Sequence, residues 1–269
     1  MNFRSLRSLM LLAASVALIP AAFAHDTWLQ TNTSVLRPGD SVYLDLVLGN
    51  HGNGARDFKI AGKLNLDGSA VSVIGPDGKA IDIKPTLFDR GYAPKEGYWS
   101  AQFTPVKPGM YLAIQTSDQV ASYASQRSVR NAKTFFLVSA SLDKVTPDAP
   151  GFDTVTGDGL EFVPQINPVA PMGAGYPIKV KLVFHGKPLA GEKVSFIPQS
   201  QTLTEAFDPR FERKTDANGI ATFEPNASDY YLIVAHHDVP AEPGQAYKTT
   251  AYSATLTVMV PALCPCCAQ

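Results

Sequence analysis

The segment Ser41 to Leu48 reads SVYLDLVL, with Val42, Leu44, Leu46 and Leu48 on one face and Tyr43, Asp45 and Val47 on the other. That two-residue period is the mark of a strand with one buried face. It recurs along the chain in short runs bounded by turn residues. Ala70 to Ile74 is followed by Gly75-Pro76-Asp77-Gly78 and then by Ala80 to Ile83, which reads as a hairpin. Tyr98 to Phe103 and Gly109 to Gln115 read as a further pair around Pro105 and Pro108, and Thr134 to Val138 as the strand that closes the set. No run carries a capped stripe at the helical period. With 20 Gly, 21 Pro and 10% aromatic residues, the chain is built for short strands and many turns.

The pattern restarts after a break. Residues 141–158 read as a joint, where Pro147, Pro150, Gly151, Gly157 and the following Gly159 break any ladder and apolar residues thin out. Beyond it, Ile178 to Phe184 alternates, His185-Gly186-Lys187-Pro188 turns the chain, and Lys193 to Ile197 is a strand. Residues 199–213 lack periodicity and read as a long loop. Thr215-Asp216-Ala217-Asn218-Gly219 is a turn before Ile220 to Phe223, and Tyr230 to Ala235 and Tyr252 to Val260 are the last strands. The expected fold is all-β: two tandem antiparallel sandwiches, immunoglobulin-like or transthyretin-like, over residues 25–150 and 151–261, with a tail at 262–269.

Residues 1–24 read as a secretory signal. Arg4 and Arg7 precede an apolar run from Leu9 to Ile19, and Ala22-Phe23-Ala24 supplies the small residues of a cleavage site. The run is too short to span a bilayer, and no later stretch is long enough. The expected location is the periplasm. Cleavage lowers the 23 basic side chains to 21 against 24 acidic ones, which leaves no basic footprint for nucleic acid. It also makes His25 the first residue of the mature chain.

Several segments resemble a known family. His25-Asp26-Thr27-Trp28-Leu29 is similar to an "AHDxWL" opening. Leu160-Glu161-Phe162-Val163-Pro164 with Asn167-Pro168 is similar to "LEIVP…NP", and Gly186-Lys187-Pro188-Leu189-Ala190-Gly191 and Thr215-Asp216-Ala217-Asn218-Gly219 match in the same way. The family is bacterial and exported, was long called a domain of unknown function, and is commonly described as a nickel-uptake or periplasmic cobalt/nickel transport component. The resemblance implies binding of nickel or cobalt and service to a membrane importer; copper enters as a candidate from the nitrogen ligands. The second half is similar to transthyretin-like or collagen-adhesin B-type repeats, folds that imply no function by themselves.

Five histidines are the candidate ligands: His25, His51, His185, His236 and His237. A mature N-terminal His offers its α-amine and its imidazole to one ion, and one more imidazole completes a three-nitrogen brace suited to Cu(II) or Ni(II). A tripeptide copper/nickel site needs His at mature position three, where Thr27 stands. His51 sits in the Gly-rich run Gly49 to Gly54 after a strand. His236 and His237 are adjacent, so within a strand they face opposite ways and only one can serve a given ion. Asp26 or Asp238 is placed to hydrogen-bond a ligating imidazole. His185 lies in a turn and reads as solvated. Cys264, Cys266 and Cys267 form a C-P-C-C tail able to hold Cu(I) or Zn(II), or to close a small disulfide. There is no G-x-S-x-G, no H-E-x-x-H and no phosphate loop, so an enzyme is not expected. Two other readings remain: a structural or adhesion spacer, and a brace-type copper oxidase acting on a polysaccharide.

Overall fold

The computed structural model describes residues 25–51, 66–93, 96–121, 125–142, 145, 148–157, 159–203, 207–241, 243 and 245–262. The first half holds β1 (Asp26–Thr31), β2 (Val35–Leu36), β3 (Val42–Gly49), β4 (Ser69–Ile74), β5 (Ala80–Asp82), β6 (Phe88–Asp89), β7 (Trp99–Phe103), β8 (Gly109–Ala121) and β9 (Gln126–Val138). The second half holds β10 (Leu160–Pro164), β11 (Ile178–Phe184), β12 (Lys187–Pro188), β13 (Lys193–Pro198) and β14 (Glu212–Lys214). It ends with β15 (Ile220–Phe223), β16 (Asp229–Pro240) and β17 (Thr249–Val260). Among the described residues the only helical pieces are two short 3-10 turns, and the protein is an all-β sandwich. No helix there is long and apolar enough to cross a membrane.

Three layers follow from the side-chain alternation. The middle layer is one long sheet in the order β14-β13-β16-β17-β9-β8-β4-β5, with β2 also paired to β9. It draws strands from both sides of residue 150. On β8, Met110, Leu112 and Ile114 face one way, while Tyr111 and Ala113 face the other. The first set joins a core with β10, β11, β13, β15, β16 and β17, centred on Phe162, Phe196 and Leu256. The second joins a core with the outer sheet β1-β3-β7-β6, centred on Leu29, Leu44, Leu46 and Phe136. The long sheet thus buries both faces, each under a smaller sheet.

Local chemistry sets the turns. Gly78 closes the β4–β5 hairpin on Gly75 at 2.9 Å with φ of 74°. His185 and Gly186 both have positive φ, 48° and 72°, which is the two-residue turn that matches strand twist.

Three expectations are corrected. The segments expected to pair around Pro105 and Pro108 lie in different layers: β7 pairs with β3 and β6, and β8 pairs with β4 and β9. Both carry an alternating pattern, but the link between them crosses from one sheet to the next. Residues expected as loop to 213 include the start of β14, because Glu212 is a buried strand residue satisfied by Ser195 Oγ (2.7 Å), the Asp208 N–H (2.6 Å) and Lys193 Nζ (3.0 Å). Finally, the pairing is not purely antiparallel: β17 runs parallel to β9, from Thr249 beside Gln126 to Thr257 beside Thr134.

Candidate metal-binding site

β1 lies at the edge of its sheet, where its outward carbonyls would be unpaired. Hydroxyls from the second half meet them at every second residue. Thr255 Oγ1 donates to Thr27 O at 2.8 Å, Thr257 Oγ1 donates to Leu29 O, and Tyr230 donates its phenol to Thr31 O. Burial pushes the Tyr230 phenol up to about 12, which keeps it protonated as a donor. Trp28 and Val47, on the reverse face of β1 and β3, pack on Leu232 and Val234 of β16. The start of the described chain is therefore docked along β16 and β17.

The next contact in the series is ionic. Asp26 Oδ1 sits 2.8 Å from His236 Nε2, with His236 48% and Asp26 16% exposed. Burial alone lowers the imidazole pKa, but the hydrogen bond and charge of Asp26, with the charge of Asp238, outweigh it and raise it. His25 is half-buried and immediately precedes this pair. His51 donates Nε2–H to Tyr230 O at 3.1 Å and sets its ring edge-on to Trp28 at 5.5 Å. Burial lowers the His51 pKa, so it is held neutral with Nδ1 as its acceptor nitrogen. The Asp26 carboxylate acts on both His51 and His236.

β16 continues to Pro240, so His236 and His237 point to opposite faces of the long sheet. His237 Nδ1 bonds Glu192 Oε1 at 2.7 Å, beside Phe184 at 4.8 Å. His185 belongs to that second group, 4.1 Å from Phe184 and 5.9 Å from Tyr252. His51 and His236 thus lie on one face of the long sheet and His185 and His237 on the other, while His25 precedes the Asp26 that bonds His236. Cys264, Cys266 and Cys267 lie outside the described residues. Among the described residues, no three His, Cys, Asp or Glu side chains are grouped so as to hold an ion between them.

Asp26 was legible in the sequence as a partner for an imidazole. That its partner is His236, 210 positions away, was not legible, nor was Glu192 as the partner of His237, 45 positions away. Thr255 and Thr257 left one sign, hydroxyls alternating with apolar residues through Ser253 to Val258.

Among curated proteins no sequence matches the chain. Of solved structures, the D0-D1 domain of intimin is similar at 12% identity and a TM-score of 0.22, covering 86% of this chain and 97% of that one. A DUF4785 family protein from Legionella pneumophila is similar at 10% identity and a TM-score of 0.28, covering 77% and 52%. Escherichia coli alpha-2-macroglobulin activated by porcine elastase is similar at 12% identity and a TM-score of 0.23, covering 88% and 20%. The sequence profile described as "Domain of unknown function (DUF4198)" matches residues 22–239, most of the chain, and the protein therefore belongs to that family.

Proposed function

We propose that the protein captures a transition-metal ion, nickel, cobalt or copper, outside the cytoplasm and presents it to a membrane importer. The observation that carries this reading is the Asp26–His236 hydrogen bond, which seats the segment starting at His25 against an imidazole. Cleavage after Ala24 adds an α-amine to the His25 imidazole, and His236 supplies the third nitrogen. Such a set suits Cu(II) and Ni(II). With Nε2–H directed at Asp26, His236 keeps Nδ1 for the ion, the carboxylate–imidazole–metal arrangement that orients a ligand. His51, neutral and fixed to Tyr230, is a further nitrogen near the Asp26 charge. The raised pKa of His236 means that ion and proton compete, so affinity rises with pH.

The test is calorimetric titration of Cu(II) and Ni(II) into protein exported and cleaved in a periplasm. One equivalent should bind. A form with one extra Ala before His25 should lose at least about a hundredfold in affinity, and His236→Ala about tenfold or more. Equal binding by the extended form would end the role of His25. Loss only on truncation after Leu263 would move the site to Cys264, Cys266 and Cys267. Binding by no form would leave a structural module.

A further inference from the structure

The contacts that dock β1 keep a regular step. Residues directly opposite each other on paired strands share a row and a face of the sheet. Leu232 and Val234 mark the face of β16 and β17 that meets β1, since they pack on Trp28 and Val47. On that face the successive rows are Tyr230–Met259, Leu232–Thr257, Val234–Thr255 and His236–Ser253.

The hydroxyls use these rows in order. Tyr230 bonds Thr31 O, Thr257 bonds Leu29 O and Thr255 bonds Thr27 O. Each row along the long sheet is therefore two residues along β1, which is the period of a strand. One further step brings His25 to the row of His236 and Ser253. The Asp26 Oδ1 to His236 Nε2 contact at 2.8 Å agrees with this placement through a different side chain.

What holds the step can be ranked by its chemistry. The ladder to β3 fixes β1 within its own sheet, not against β16. Packing of Trp28 is non-directional and tolerates a slide. A hydroxyl bond to a carbonyl is directional and does not. Of the three hydroxyls, Thr255 pins the residue nearest His25. It is buried, and it donates to Thr27 O at 2.8 Å.

We propose that Thr255 is a positioning residue for the N-terminal metal site: its bond to Thr27 O sets the amine and imidazole of His25 level with His236. The inference rests on the metal reading. It adds that affinity is set from β17, by a side chain that is not itself a ligand.

The experiment uses the full mature chain, exported and cleaved, with Cu(II) as the probe. Calorimetry gives the affinity, and the electron paramagnetic resonance spectrum at one equivalent gives the ligand geometry. Thr255→Val should lower affinity about tenfold and change the spectrum, and Thr255→Ser, which keeps the hydroxyl, should restore both. Thr257→Val and Tyr230→Phe pin residues further from His25 and should cost progressively less. Gly219→Ala is the control for lost stability alone, because its added Cβ meets Leu182 O at 2.7 Å in a distant turn. It should bind as the parent does. Thermal melts confirm that each variant is folded, and if Thr255→Val is not, Thr257→Val carries the same test. A folded variant with the parent's affinity and spectrum would overturn the inference and leave the metal reading standing. An equal loss in Gly219→Ala, or no rescue by Thr255→Ser, would overturn it as well. A parent that binds no Cu(II) would end the metal reading and this inference with it.

Discussion

Lys133 and Glu161 form an ion pair in which both side chains are 1% exposed. Lys133 also donates to Phe162 O at 3.2 Å, and Glu161 accepts from Thr156 N, Thr156 Oγ1 and Gly157 N. The pair joins β9 of the first half to β10 of the second. Lys133→Met leaves a carboxylate buried with neutral donors only, and Glu161→Met leaves an ammonium with one carbonyl. Each should cost about 3–5 kcal/mol, the penalty for stranding one buried charge. The double replacement strands neither charge. Thr156 is half-buried and Gly157 exposed, so water can reach their freed N–H groups. The double variant should therefore lie within about 1–2 kcal/mol of the parent, a coupling of several kcal/mol. Urea unfolding measures this: with m near 3 kcal/mol/M, each single variant lowers the midpoint by about 1 M or more. The acid side follows the same group. Burial pushes the Glu161 carboxyl up, but the Lys133 charge and bonds, with those of Thr156, outweigh it and hold its pKa below the ordinary 4.5. Its stabilising contribution is therefore full above that value and is lost as pH falls through the lowered one. Lys133→Met should raise the pH at which acid unfolds the protein. Single variants that cost under about 1 kcal/mol, or a double variant equal to their sum, would refute the reasoning.

Other perturbations probe the docking of β1 and the turns. Thr255→Val and Thr257→Val each strand a carbonyl of buried Thr27 or Leu29, and each should cost about 1–3 kcal/mol in urea melts, with faster amide exchange along β1. The two histidines facing β1 should give opposite pH dependences. His51, with a lowered pKa, makes the fold lose stability as pH falls from about 6.5 through the lowered value, and His51→Gln should flatten that slope. His236, with a raised pKa, contributes in full below about 6.5 and loses its contribution as pH rises through the raised value, so His236→Gln should cost more at pH 6 than at pH 8. Among glycines, Gly219→Ala meets Leu182 O at 2.7 Å with φ of 75° and should cost about 3 kcal/mol or more. Gly78→Ala, at φ of 74° with open space, should cost only about 1 kcal/mol, and thermal melts compare the two.

The alternation in Ser41 to Leu48, Ile178 to Phe184 and Ile220 to Phe223 was enough to place strands that the structure bounds at Val42–Gly49, Ile178–Phe184 and Ile220–Phe223. The turn at Gly75 to Gly78 and the absence of long helices were equally legible, because period and turn chemistry are local properties of a few consecutive residues. Asp26 could be read as a partner for an imidazole because it adjoins a histidine at the start of the strand. Partnership between distant strands is a different matter. Nothing local to Thr249 to Thr257 says that it lies parallel to Gln126 to Thr134, or that its hydroxyls close the edge of β1. Those pairings depend on which buried faces the three layers bring together, and the groups that seal them, Thr255, Thr257, Lys133, Glu161 and Glu212, are polar and interrupt the apolar pattern. The sequence alone determined that the chain is an all-β protein with histidines near its start and near His236. Only the tertiary structure decided that His236 faces Asp26 while His237 faces Glu192, because a strand that continues to Pro240 must turn adjacent side chains to opposite sides.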